Sequence, residues 1–118
     1  MQKILLLDDD ATMRSLLKTL LELENYQVIF PSELTATAIQ EEILFQQPQL
    51  LLVDVLMQNL NGLDLVAGLP STRPYRILMT SGMDVGIECS EAGADGFLLK
   101  PYNPSELIRR IRELTAEN

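Results

Sequence analysis

The sequence predicts an α/β domain: a doubly wound, five-stranded parallel sheet with helices on both faces. Three observations carry that reading. Short apolar runs alternate five times with stretches of helical period. The runs are unbroken rather than alternating, which is how strands buried on both faces look. A strand, helix, strand succession needs crossover connections, and these are right-handed and leave helices on both sides of an open sheet. A length of 118 residues, 47% of them hydrophobic, suits one compact domain spanning 1–118, either free-standing or excised from a longer chain.

Each element has its own signal. Ile4 to Leu7 is all apolar and stops at three aspartates. Met13, Leu16, Leu17, Leu20 and Leu21 follow at helical spacing, predicting a first helix to about Glu24. Gln27 to Phe30 is a short strand closed by Pro31, and Ile39 and Ile43 mark a second helix ending before Pro48. Leu50 to Val53 is a third strand, ending at Asp54. Asn61-Gly62 signals a turn, leaving room for a short third helix from Leu63 to about Gly68. Ile77 to Met79 is a fourth strand before Thr80-Ser81-Gly82. Asp84 to Gly93 carries little helical pattern. Phe97 to Leu99 is a fifth strand before Lys100-Pro101, and Asn103-Pro104 opens a last helix with stripe Leu107, Ile108, Ile111 and Leu114.

Open parallel sheets bind ligands outside the carboxyl ends of their strands, so the residues after each run matter most. There the sequence places Asp8, Asp9 and Asp10, then Asp54, then Thr80 and Ser81, then Lys100; the second strand offers nothing polar, as suits an edge. Singly, these residues read blandly: a solvated acidic turn, a helix cap, a turn former and a surface lysine. Together they converge carboxylates, hydroxyls and one ammonium on a single edge. Close carboxylate pairs repel by roughly 4 kcal/mol at an effective dielectric near 20. A hard divalent cation with oxygen ligands, Mg²⁺ above all, offsets such repulsion. A carboxylate among metal, ammonium and hydroxyl is poised to attack phosphorus.

Composition removes the competing chemistries. The chain has no histidine and one cysteine, Cys89, so a Ser-His-Asp triad, a Cys-His pair and an internal disulfide are all excluded. The turn DDDATMR lacks the glycines of a phosphate loop. Seventeen acids against nine basic residues give −8, the wrong sign for a nucleic-acid module. No apolar run reaches the ~18 residues of a membrane span, and the start lacks a signal-peptide pattern, so a cytoplasmic place with no membrane contact is expected.

At these residues the chain resembles the receiver domains of two-component response regulators. The matching pieces are LLLDDDATMR, LLLVDVLMQNLNG, ILMTSG and GADGFLLKP, in order along nearly the whole chain. The resemblance implies a flavodoxin-like strand order 2-1-3-4-5. It implies that Asp8 and Asp9 hold Mg²⁺, Asp8 mainly through water, together with Asp54 and the backbone carbonyl of Leu56. Asp54 would be the phosphoacceptor, with Ser81 and Lys100 binding the phosphoryl group and Asp10 in support. Phe97 falls at the switch aromatic, acting with Ser81, and Lys100-Pro101 at a peptide bond that is usually cis. The donor would be a histidine kinase, a histidine phosphotransfer protein or a small phosphodonor. Phosphorylation would alter partner binding or dimerisation through the face of strands four and five. The resemblance further implies that the domain would catalyse only its own phosphorylation and dephosphorylation, and so would not be an enzyme in the ordinary sense.

Several positions depart from the family pattern. Gln58 replaces the usual proline, Gly82 the usual alanine, and the segment from Ser81 to Phe97 is about three residues short, which implies a truncated fourth helix. Leu56 and Met83 occupy the positions that place or bar the hydrolytic water; both are apolar, implying a long-lived phosphorylated state. Arg109, Arg110 and Arg112 read as a solvated helix face, with partner docking as the alternative. A docking domain that keeps the fold without turning over phosphate is the second functional reading. A phosphohydrolase fits poorly, because no acid lies two residues after Asp54.

Overall fold

A computed structural model describes residues 1–116; residues 117 and 118 of the expected domain lie outside the described residues. The elements are β1 (Gln2–Leu7), α1 (Ala11–Leu23), β2 (Tyr26–Ile29), α2 (Ala36–Gln46), β3 (Leu50–Asp54), β4 (Leu56–Met57), β5 (Leu60–Asn61), α3 (Gly62–Ala67), β6 (Arg76–Ser81), α4 (Gly86–Ala92), β7 (Gly96–Leu99) and α5 (Pro104–Thr115). β2, β1, β3, β6 and β7 form one parallel sheet in that order, the expected 2-1-3-4-5 pattern. No helix among the described residues is long and apolar enough to cross a membrane.

The unbroken runs have the cause expected of them, because successive strand residues point to opposite faces and both faces are covered. Leu5, Leu7, Leu51, Val53, Ile77 and Met79 pack on one side with Ile39 of α2, Leu65 and Val66 of α3 and Cys89 of α4. Ile4, Leu6, Leu50, Leu52 and Leu78 pack on the other with Leu17 and Leu21 of α1 and Leu107 and Ile111 of α5. Each fully buried aliphatic side chain contributes about 2 kcal/mol of transfer free energy, enough in sum to hold a charged rim in place.

Local differences from the sequence reading have identifiable causes. α1 starts two residues before Met13, because Asp10 caps it by accepting the Thr12 and Met13 amides at 2.9 and 3.1 Å. Asn61-Gly62 is not a free turn: Asn61 closes the β4–β5 hairpin and caps α3, which begins at Gly62. The hairpin itself has two-residue strands, too short for a periodic signal. β6 continues through Thr80 and Ser81, which pair with Asp54 and Leu99 on the neighbouring strands. The unpatterned stretch holds a regular but short α4 of seven residues, ended by Gly93 at φ 111°, a conformation that favours glycine. Asn103 caps α5 with Pro104 as its first residue, as expected. Gly82 is not required by space, since a Cβ there meets nothing within 4 Å.

Candidate functional site

Every polar residue singled out at a strand end lies at the carboxyl edge of the sheet. The carboxylates of Asp8, Asp9 and Asp54 each offer an oxygen within 4.8 Å of the other two. Asp8 is only 4% exposed and continues directly from buried β1. Its Oδ1 accepts the Asp10 amide at 2.9 Å, and its backbone oxygen accepts from Arg14 Nη1 at 2.9 Å. Asp9 is exposed, and its Oδ2 accepts the Gln58 amide at 2.6 Å from across the site. Asp10 turns away to cap α1, so its support is structural: it fixes the helix that follows the acidic loop.

Asp54 ends β3 at the centre of the sheet, and Lys100 Nζ approaches its Oδ2 at 3.4 Å. Both are partly exposed, so the pair adds about 1 kcal/mol at most and is better read as alignment than as a fastener. Lys100 reaches this place because its backbone amide donates to the Ser81 carbonyl at 2.7 Å, lacing β7 to β6. The Lys100-Pro101 bond is cis, as the resemblance implies. Ser81 is buried, and its Oγ accepts the Met83 amide at 3.0 Å, which leaves the hydroxyl hydrogen free to donate toward an anion.

Three carboxylates thus face one ammonium. Burial raises the Asp8 carboxyl above its ordinary value, and the charges of Asp54 and Asp9 push the same way, while the Asp10 amide and Lys100 pull it back. The donors of the site are all oxygen, the set preferred by hard divalent cations, and the residues present fit Mg²⁺. Leu56 and Met83 flank the site with exposed side chains, 58% and 46% accessible. The Phe97 ring lies about 3.3 Å from where a Cβ on Gly86 would stand, so it already rests against the start of α4.

Three contributors were not visible in the sequence as site residues. Gly62 passes so close beneath β3 that a Cβ there would stand 2.6 Å from the Asp54 carbonyl oxygen, which reserves the position for glycine. Its signal, the Asn-Gly pair, is present but ordinarily marks a turn. Tyr102 is held near the acids: burial raises its phenol, and the charges of Asp8 and Asp54 add to that. Arg14 braces the acidic loop through the Asp8 carbonyl. Of the helix arginines, Arg109 pairs with Glu113 and Glu106, and Arg112 with Glu24, in keeping with a solvated face, whereas Arg110 is half-buried with its guanidinium against Gly96 and departs from it.

The chain matches the sequence model of the response regulator receiver domain over residues 4–112. It is 38% identical over 117 residues to the transcriptional regulatory protein CpxR of Escherichia coli (strain K12), covering 97% of this chain and 49% of that protein. It is 32% identical over 123 residues to the DNA-binding response regulator MtrA of Mycolicibacterium paratuberculosis, covering 99% and 52%. The chain therefore spans about half the length of these curated relatives. Among solved structures, the BeF3-activated N-terminal receiver domain of Klebsiella pneumoniae RstA superposes with a TM-score of 0.88 at 24% identity, covering 98% of this chain and all of that one; this likeness speaks to the fold alone. With the matched sequence model, these relatives and the strand order in agreement, the chain belongs to the response regulator receiver domains of two-component systems.

Proposed function

We propose that Asp54 is the phosphoacceptor of this receiver and that the acidic edge is its Mg²⁺ site. The carrying observation is the convergence of three carboxylate oxygens within 4.8 Å, with Lys100 Nζ 3.4 Å from Asp54. An Asp54 oxygen forms a bond to phosphorus while the phosphorus–nitrogen bond of a phosphohistidine breaks, its electron pair and a proton going to the departing imidazole. The donor is a histidine kinase, a histidine phosphotransfer protein or a small phosphodonor. Asp9, Asp54 and the Leu56 carbonyl would hold the metal directly and Asp8 through water; when bound, it neutralises charge gathering on the phosphoryl oxygens. Lys100 and the Ser81 hydroxyl hold the same oxygens from the other side.

The conformational readout runs through Ser81 and Phe97: the hydroxyl moves toward the phosphoryl group, and the ring shifts into the space released. That shift reshapes the β6–β7 face, where a partner or a second receiver binds. CpxR and MtrA are by name transcriptional and DNA-binding regulators. This chain, at −8, serves such an output as the switch and not as the DNA-contacting part. The proposed location is the cytoplasm.

The test is intact mass after incubation with Mg²⁺ and acetyl phosphate. Wild type should gain roughly 80 Da, one phosphoryl group, and Asp54→Asn should gain nothing. A wild type that stays at its original mass would instead identify a docking domain without phosphate turnover. Phe97→Ala should phosphorylate normally yet lose phosphate-dependent dimerisation, read by sedimentation; unchanged dimerisation would remove the ring from the switch.

A further inference from the structure

Among the described residues, one hydrogen bond that spans 49 positions of sequence joins the acidic loop after β1 to the hairpin after β3. The Gln58 N–H donates to Asp9 Oδ2 at 2.6 Å. Asp8 and Asp10 take amides from their own loop and helix, whereas Asp9 reaches across to the other wall of the site. The bond belongs to the backbone of Gln58, whose side chain is exposed at the hairpin tip. Amide bonds to a carboxylate are charge-assisted and directional. A carboxylate has two oxygens, so engaging Oδ2 leaves Oδ1 available to a cation.

We infer that the Gln58 amide is a positioning group for the cation site. It orients the otherwise exposed Asp9 carboxylate toward Asp54, and it ties the Leu56-bearing hairpin to the acidic loop. The two loops then present their oxygens as one pre-assembled set. Preorganisation of this kind lowers the ordering cost that a metal would otherwise meet on binding. Proline, the residue usual at this position in similar receivers, has no N–H and cannot make the bond. The inference rests on the cation-site reading above and adds to it a backbone donor contributed by position 58.

Calorimetric titration of MgCl₂ into the metal-free protein at pH 7 tests it, with thermal unfolding as the check on folding. Gln58→Pro should bind Mg²⁺ about tenfold more weakly, at the low end of what losing an outer-shell partner does. Gln58→Ala keeps the amide and should match wild type. Equal or tighter binding by Gln58→Pro would overturn the inference, because the amide would then be idle or a competitor of the metal. Equal weakening in Gln58→Ala would overturn it too, by assigning the effect to the side chain. Absence of Mg²⁺ binding in wild type would remove the underlying site reading itself, a result distinct from the other two. If Gln58→Pro does not fold, amide hydrogen exchange decides: Asp9→Ala should speed exchange at Gln58 about tenfold, and an unchanged rate would refute the bond.

Discussion

At the amino edge of the sheet, Asp95 sits in a closed circuit. Its carboxylate accepts from Arg73 Nη2 at 2.9 Å and from the Ile77 amide at 2.8 Å, with Arg76 at 3.7 Å. Arg73 in turn donates to the Gly93, Ser71 and Pro70 carbonyls and lies over the Tyr75 ring. At the carboxyl edge, Asp8, Asp9 and Asp54 cluster with one lysine, which approaches Asp54 alone at 3.4 Å. Two cations answer one acid at the first edge, and one cation answers three acids at the second. Both edges rest on the same buried strands, so under the proposed cation-site reading the difference lies in what each charge is for. A structural charge is closed by its own neighbours, while a functional one is left open for something that arrives later.

The same substitution should therefore have opposite consequences at the two edges. Asp95→Asn strips the carboxylate from Arg73, whose side chain is only 8% exposed, and should cost about 2 kcal/mol in chemical denaturation. Phosphorylation by acetyl phosphate should survive, since the site lies at the other end of the strands. A loss below about 0.5 kcal/mol, the range of an ordinary surface change, would mean that the circuit is ornamental.

The open edge should also govern how long the phosphorylated state lasts. Leu56 and Met83 stand exposed beside it and offer no hydrogen bond to a water approaching opposite Asp54. A half-life of minutes to hours is expected. Leu56→Asn combined with Met83→Glu should shorten it about tenfold, or ~1.4 kcal/mol off the barrier. Decay of the added mass with time measures this, and a double variant no faster than wild type would detach both positions from hydrolysis.

The smallest effect belongs to Asp8→Asn, which should stabilise the metal-free protein at pH 7 by about 1–3 °C in Tm. Burial and the neighbouring acids hold the Asp8 carboxyl above its ordinary 3.8 in the folded state, so the ionised form opposes folding at neutral pH. As the pH falls through the folded-state value toward 3.8, wild-type Asp8 takes up its proton and the advantage of the variant should shrink. A gain that stays constant or grows on acidification would contradict the burial argument. Mg²⁺ should narrow the difference by stabilising the wild type more than the variant.

Much of this arrangement is legible in the sequence itself. Unbroken runs such as Leu50 to Val53 can be satisfied only by a strand covered on both faces, and their termini announce Asp8, Asp54, Ser81 and Lys100 as neighbours at one edge. Periodicity conveys that much because it reports which face of an element is buried, a property of residues close in sequence. The tertiary structure alone decided where each polar atom of the edge points. It turned Asp10 outward to cap α1, sent the Gln58 amide to Asp9, and brought Gly62 against the Asp54 carbonyl so closely that only glycine fits. These choices depend on two-residue strands, loop paths and single backbone donors, features too short to leave a period in the sequence. Their partners lie up to 49 positions apart, so they are set by how the packed layers hold the loops rather than by any local preference.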